Sequence, residues 1–120
     1  MGEFYTYISE ARKYITLKKY YEAASIYEKL GKTLFKTDVK TALNLFKLAI
    51  KYYLKSIVEY DKARKLEETA RCYESLGKIY KKWLNDTSRA ADYFIAATKY
   101  RMKALKTSIA YNNGENTSTV

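Results

Sequence analysis

The sequence predicts an all-α protein built from antiparallel helix hairpins that repeat, with about five helices in total. The segment 24–32 returns 46 residues later as 70–78, with six of nine positions identical. A second set of residues returns after 48 positions: Ala42, Phe46, Ala49, Lys51, Tyr52 and Lys55 reappear as Ala90, Phe94, Ala97, Lys99, Tyr100 and Lys103. Two groups of residues that recur in the same order indicate a duplicated two-helix unit, and such units stack into a solenoid.

The composition supports the helical class and limits the possible chemistry. The 120 residues include no Pro, no His, four Gly and one Cys. An internal disulfide and a Cys/His zinc site are therefore excluded. The start of the chain lacks the basic and apolar regions of a secretory signal, and no run approaches the roughly 20 apolar residues of a membrane span. We expect a cytoplasmic protein.

The chain carries a net charge of +10, shared equally between residues 1–60 and 61–120. A positive field of this kind attracts acidic partners, which include acidic peptides, nucleic acids and anionic lipids. The alternative is that a lysine-rich composition only keeps a helical protein in solution.

Residues 1–110 are expected to form a single helical domain that begins with a cap helix at 3–17. Apolar residues recur there at spacings of four, three and four, which is one stripe of a helix: Phe4, Ile8, Ala11 and Ile15. The segment has no evident copy later in the chain. We therefore expect this helix to cover an open end of the stack.

Repeat one is predicted to occupy 20–60, with helices at 20–36 and 39–60. Gly31 lies on the apolar face of the first of these, where glycine costs roughly 1 kcal/mol relative to alanine. Its presence there suggests that the neighbouring helix approaches closely. Asp38 is placed to accept hydrogen bonds from the free N–H groups at the start of the next helix.

Repeat two is predicted to occupy 63–110, with helices at 63–84 and 88–110. The connection at 61–65 contains no Gly or Pro. The repeat requires a turn there, and the alternative is one long continuous helix. The segment 85–88 is rich in capping side chains and marks a turn. Residues 111–120 are polar and contain a glycine, and we expect a disordered tail.

Two groups of residues resemble tetratricopeptide repeats, which place an aromatic residue and Leu-Gly on one helix and Ala, an aromatic and Ala on the next. The matching residues are Tyr27, Leu30, Gly31, Leu34, Ala42, Phe46 and Ala49, and then Tyr73, Leu76, Gly77, Tyr80, Ala90, Phe94 and Ala97. The period of 46–48 exceeds the family's period of about 34 residues. Longer helices of this type look like the soluble NSF attachment protein (SNAP) branch. The resemblance implies a non-catalytic adaptor that binds other proteins.

In such solenoids the first helix of each unit lines a concave groove, so the resemblance implies a basic groove. Its exposed residues are Lys29, Lys32, Lys36, Arg71, Lys78 and Lys82. Lys32 and Lys78 are repeat-equivalent, and together they suit the carboxylates of one acidic ligand. The alternative is that Glu28 and Glu74 pair with them within each helix, and that this face is only solvated.

A second basic surface is predicted on the other helices, where it could meet phosphates or lipid headgroups or be ordinary solvated surface. Its residues are Lys47, Lys51, Lys55, Lys99 and Lys103. Fourteen tyrosines suggest base stacking by nucleic acid, although most lie on core stripes. The tyrosines expected to be exposed are Tyr21, Tyr52, Tyr100 and Tyr111.

The sequence gives no support for catalysis, since it has no His and no Gly-rich phosphate loop. Cys72 is expected to pack as a small apolar residue. We expect no cofactor and no metal. The leading hypothesis is an adaptor that binds an acidic peptide or helical segment in its basic groove. The alternatives are a basic nucleic-acid or anionic-membrane binder and a structural subunit of a homo-oligomer. Two units fall short of the roughly three that make a stable stack, so a homodimer through an open end near the fifth helix is also expected.

Overall fold

The computed structural model describes residues 2–118, and five helices account for nearly all of them. Met1, Thr119 and Val120 lie outside the described residues. No strand is present between residues 2 and 118, so the predicted all-α class is confirmed. The helices are α1 (Gly2–Thr16), α2 (Tyr20–Leu34), α3 (Val39–Lys62), α4 (Leu66–Lys82) and α5 (Thr87–Ser118).

The helices form two hairpins that are laid against each other. The most extensive helix contacts are within the pairs α4–α5 and α2–α3, and smaller contacts join α3 to α4 and α1 to α2. Because the connections are only a few residues long, neighbouring helices run antiparallel. The described part of the chain is elongated, with principal extents of 63 × 33 × 18 Å.

The two hairpins are built in the same way around their glycines. A Cβ atom added to Gly31 would lie 2.9 Å from Cε1 of Phe46, and one added to Gly77 would lie 2.7 Å from Cε1 of Phe94. The glycines are 46 residues apart and the phenylalanines 48 apart, as the sequence repeat requires. Glycine therefore lets the two helices of each hairpin approach closely at equivalent points.

The chain turns between α3 and α4, although the connection contains neither Gly nor Pro. Arg64 takes a left-handed conformation with φ of 56°. The backbone N–H groups of Arg64 and Lys65 donate to the carbonyls of Asp61 and Tyr60, at 3.0 and 2.9 Å. This pair of bonds is the Schellman arrangement, which ends a helix and satisfies its last carbonyls.

The turn at the end of α1 has the same backbone geometry as the turn at the end of α3. Lys18 is also left-handed, with φ of 59°. The backbone N–H groups of Lys18 and Lys19 donate to the carbonyls of Ile15 and Tyr14, at 2.9 and 2.8 Å. Each of these four residues lies 46 positions before its equivalent in the turn at 60–65. The turn that follows α1 is therefore equivalent to the turn that follows α3, and α1 packs on α2 as α3 packs on α4.

The N-termini of α3 and α5 carry the same side-chain cap. The backbone N–H of Thr41 donates to Asp38 at 3.1 Å, and that of Arg89 donates to Asp86 at 3.0 Å. The Thr41 hydrogen bonds also lower the pKa of Asp38. These caps fix where the second helix of each hairpin begins.

Helix α5 is longer than predicted, because it continues beyond residue 110 to Ser118. The segment 111–120, expected to be a disordered tail, is thus helical as far as the description reaches. The polar residues there include no Pro, so the backbone hydrogen bonds of the helix continue uninterrupted. Among the helices described, none is long and apolar enough to cross a bilayer.

Candidate binding surfaces

The six predicted groove residues are all exposed, and they lie on or directly after α2 and α4. Two pairs are repeat-equivalent: Lys32 with Lys78, and Lys36 with Lys82. Lys29 and Arg71 correspond to serines in the other unit. We call these six residues the α2–α4 basic surface.

Contacts at two levels connect the α2 and α4 sides of the molecule: one is between residues that directly follow the two helices, and the other is made through α3. Near the ends of the two helices, the ring centroids of Phe35 and Trp83 are 4.9 Å apart in an edge-to-face arrangement. Near the middle, the hydroxyl of Tyr53 from α3 lies 3.4 Å from the hydroxyl of Ser25 on α2 and also faces Ser75 on α4. Equivalent residues of the two helices therefore lie on one continuous surface.

A buried hydrogen bond fixes the acidic side chain at the centre of this surface. The hydroxyl of Tyr53, which is only 2% exposed, donates to Oε1 of Glu28 at 2.5 Å. Burial, together with the charge and hydrogen bond of Glu28, raises the pKa of Tyr53. The phenol therefore stays protonated and acts as a permanent donor to the carboxylate.

The second unit uses a different donor at the equivalent place. Arg101 occurs 48 residues after Tyr53, and its guanidinium donates to Oε2 of Glu74 at 2.6 Å. Hydrogen bonds from Arg101 and Lys78 lower the pKa of Glu74. A carboxylate with a donor from the following helix is thus a repeated feature of the fold, and sequence reasoning missed it. Aligning the second helices of the two units places Tyr53 opposite Arg101 and would have suggested it.

The predicted ion pairs within the helices are present. Lys32 lies 3.2 Å from Glu28, and Lys78 lies 3.3 Å from Glu74. All four side chains remain at least partly exposed, so each pair is worth only a few tenths of a kcal/mol. A ligand that uses these two lysines must compete with the glutamates for them.

The other members of the surface have different environments. The ammonium groups of Lys29 and Lys82 lie over the rings of Tyr7 and Trp83, at 5.8 and 5.0 Å from the ring centres. Within the described residues, Lys36 and Arg71 take part in no salt bridge. The charge most available to a ligand is therefore at the Lys36–Lys82 end and at Arg71.

The second basic surface lies on α3 and α5, and all five of its lysines are exposed. Lys55 lies 5.4 Å from the ring centre of Tyr52, and the equivalent Lys103 lies 4.9 Å from that of Tyr100. Cation–π contacts of this kind hold the lysines against the protein. We call Lys47, Lys51, Lys55, Lys99 and Lys103 the α3–α5 lysine stripe.

The tyrosines beneath this stripe offer few faces to a nucleic-acid base. Tyr52 was expected to be exposed, but it is buried at 9% exposure because it stacks between Tyr20 and Tyr27, each 6.0 Å away. Tyr100 is half-buried and its hydroxyl donates to Asp61 at 3.0 Å. Tyr111 is exposed as expected.

Cys72 is fully buried in α4, and burial raises the pKa of its thiol to about 12. The thiol is therefore protonated near neutral pH, which is the state of an inert packing residue.

No protein-family profile matches this chain, and comparison with characterised proteins and with solved structures gives no match either.

Proposed function

We propose that this protein is a non-catalytic, tetratricopeptide-like scaffold that binds an acidic protein segment on the α2–α4 basic surface. The observation that carries the proposal is the exposure of equivalent lysines on α2 and α4 of two adjoining repeats. The resemblance to the SNAP branch supports an adaptor role in the cytoplasm. The chemistry described above includes no activated nucleophile that would favour an enzyme.

The surface suggests the chemistry of the ligand. Its positive charge favours carboxylates, and the Phe35–Trp83 pair lies beside Lys82 at one end, with the ring of Trp83 half-buried. An extended or helical segment that presents several acidic residues and one large apolar side chain would match both features. Because exposed charges mainly steer encounter, the affinity should fall as salt rises.

A binding assay with a defined probe tests this proposal. The probe is a fluorescent helical peptide with glutamates on one face and leucines on the other, followed by fluorescence anisotropy. Charge reversal by Lys36→Glu and Lys82→Glu should weaken binding by about tenfold or more, because two attractive charges become repulsive. The matched control is Lys51→Glu with Lys55→Glu, which changes the net charge equally on the other surface. Equal losses in both double variants would refute a specific site.

A second candidate function is supported by the α3–α5 lysine stripe. Leu54 and Val58 are 40% and 51% exposed, and they lie on α3 next to Lys51 and Lys55. Apolar side chains beside lysines are typical of a surface that rests on anionic lipid. Sedimentation with vesicles that contain phosphatidylserine tests this function. Here Lys51→Glu with Lys55→Glu should abolish binding, and Lys36→Glu with Lys82→Glu should not.

A further inference from the structure

An open groove of about 520 Å³ lies between α1 and α2 at the start of the stack. Its lining is largely apolar and includes two acidic residues, Glu3 and Glu10, and one lysine, Lys29. We call it the α1–α2 groove, and the apolar residues that line it include Phe4, Tyr7, Ile26, Leu30 and Leu34.

The repeat shows what shape of partner this groove is made for. Cys72, Leu76 and Ile79 of α4 are fully buried, because the first hairpin covers that face. Their counterparts, 46 residues earlier on α2, are Ile26, Leu30 and Thr33, and all three line the groove. Helix α1 covers α2 in the way that α3 covers α4. However, no described helix lies beside α2 in the way that α2 lies beside α4. The groove therefore has the form of a vacant helix position.

Helix α5 carries an apolar stripe without a partner at the other end of the stack. Ile95, Met102, Leu105 and Ile109 are 54%, 52%, 59% and 50% exposed, at spacings of seven, three and four that put them on one face. The counterpart of Leu105 on α3 is Ile57, which is only 8% exposed. We call these four residues the α5 apolar stripe.

We propose that the α5 apolar stripe of one molecule packs into the α1–α2 groove of a second copy, so that two molecules associate head to tail. Charge favours this occupant, because Lys99 and Lys106 run beside the stripe, whereas the groove is lined by two carboxylates, Glu3 and Glu10, against one lysine, Lys29. The proposal does not depend on the function of the α2–α4 basic surface.

The dimensions are compatible with the proposed contact. The whole stripe from Ile95 to Ile109 is about 21 Å long, and the α2 wall from Ser25 to Leu34 is about 14 Å long, so the groove accommodates the part from Met102 to Ile109, about 10 Å. One such contact is smaller than the roughly 800 Å² per partner that a stable interface buries. The contact should therefore be weak, and because a head-to-tail dimer keeps one free groove and one free stripe, longer chains should form as the concentration rises.

The test blocks each half of the contact separately and measures mass by light scattering after gel filtration. Thr33→Arg puts a large cation into the groove, and Leu105→Glu puts a charge into the stripe. Each variant alone should be monomeric at concentrations where the unchanged protein forms dimers and longer chains. A 1:1 mixture should recover a heterodimer, because each variant keeps the half that the other lacks. Val58→Glu is the control, since it makes the same kind of change at an apolar residue 51% exposed on α3.

The outcomes are decisive once circular dichroism shows that each variant is folded. A monomeric unchanged protein over about a hundredfold range of concentration overturns the proposal. It is overturned equally by a dimer that survives Leu105→Glu, or by two monomeric variants that fail to associate on mixing. Loss of the dimer in Val58→Glu would show that the contact lies elsewhere.

Discussion

Replacement of Gly31 by alanine tests the close approach of α2 and α3 within the first hairpin. The new Cβ atom would lie 2.9, 3.0 and 3.1 Å from three ring carbons of Phe46. Phe46 is fully buried, and its ring is held by Trp83 at 5.3 Å and by Phe35 at 6.4 Å. The ring has no free space to move into, so the helices must separate slightly or the ring must leave its preferred rotamer.

Two opposing effects set the magnitude of this change. Alanine is favoured over glycine inside a helix by about 1 kcal/mol. Overpacking of a filled core costs about 1–3 kcal/mol. We therefore expect Gly31→Ala to lower the free energy of unfolding by about 1 kcal/mol, which corresponds to a fall in Tm of roughly 4 °C.

Gly77→Ala is the matched comparison, because its Cβ would lie even closer, 2.7 Å from Phe94. Phe94 is only half-buried, since no further helix of the described chain packs outside α5, and its ring can turn aside. The loss at Gly77 should therefore be smaller than at Gly31, despite the shorter distance.

Urea unfolding followed by circular dichroism measures both variants, and a double-mutant cycle with Phe46→Leu isolates the contact. The smaller leucine should remove most of the penalty of Gly31→Ala. An increase of about 1 kcal/mol in the stability of Gly31→Ala would refute the reasoning, because helix propensity would then act without any steric opposition.

Three further predictions follow from single residues. Lys18→Gly and Arg64→Gly should each raise the free energy of unfolding by about 0.5–1 kcal/mol in urea titrations, because glycine adopts the left-handed conformation without strain; unchanged or lower stability would contradict the role assigned to these turns. Tyr53→Phe should lower it by about 1–3 kcal/mol, since the Glu28 carboxylate loses a buried donor, and an effect near zero would show that water replaces the hydroxyl. Cys72 should react with a thiol reagent at pH 8 only as fast as the protein opens, because burial raises its pKa to about 12; immediate labelling of the native protein would disprove its burial.

The repeat was enough to predict the architecture, because its most constrained positions are those that touch another helix. Gly31 predicted close approach of the neighbouring helix, and the structure shows a phenylalanine against it and against its counterpart Gly77. The turn at Arg64 had no sequence signal of its own, since a charged residue takes the conformation that glycine usually supplies. The relation of α1 to α3 was hidden for a similar reason: it is expressed in backbone hydrogen bonds more than in side chains.

The exposure of the residues on the candidate surfaces could be predicted from the sequence, whereas the side chains that contact them could not. Spacing along a helix tells which lysines face outward, and all eleven basic residues singled out are exposed. Spacing along one helix does not show which side chain of the next helix contacts these residues. Tyr53 is buried among apolar residues of the core, and nothing in its spacing shows that its hydroxyl reaches Glu28. Tyr52 was judged exposed, but two other tyrosines cover its ring.

The identical turns after α1 and α3 mean that the molecule has two equally valid ways of being divided into modules. Deletion of residues 20–65 removes one full period and joins Lys19 directly to Leu66, the residue that follows the equivalent turn position Lys65. The shortened chain would pass from α1 directly into α4 through an unaltered corner. By the same logic, a duplicate of that period could be spliced in to lengthen the stack, so the fold lends itself to growth by whole periods.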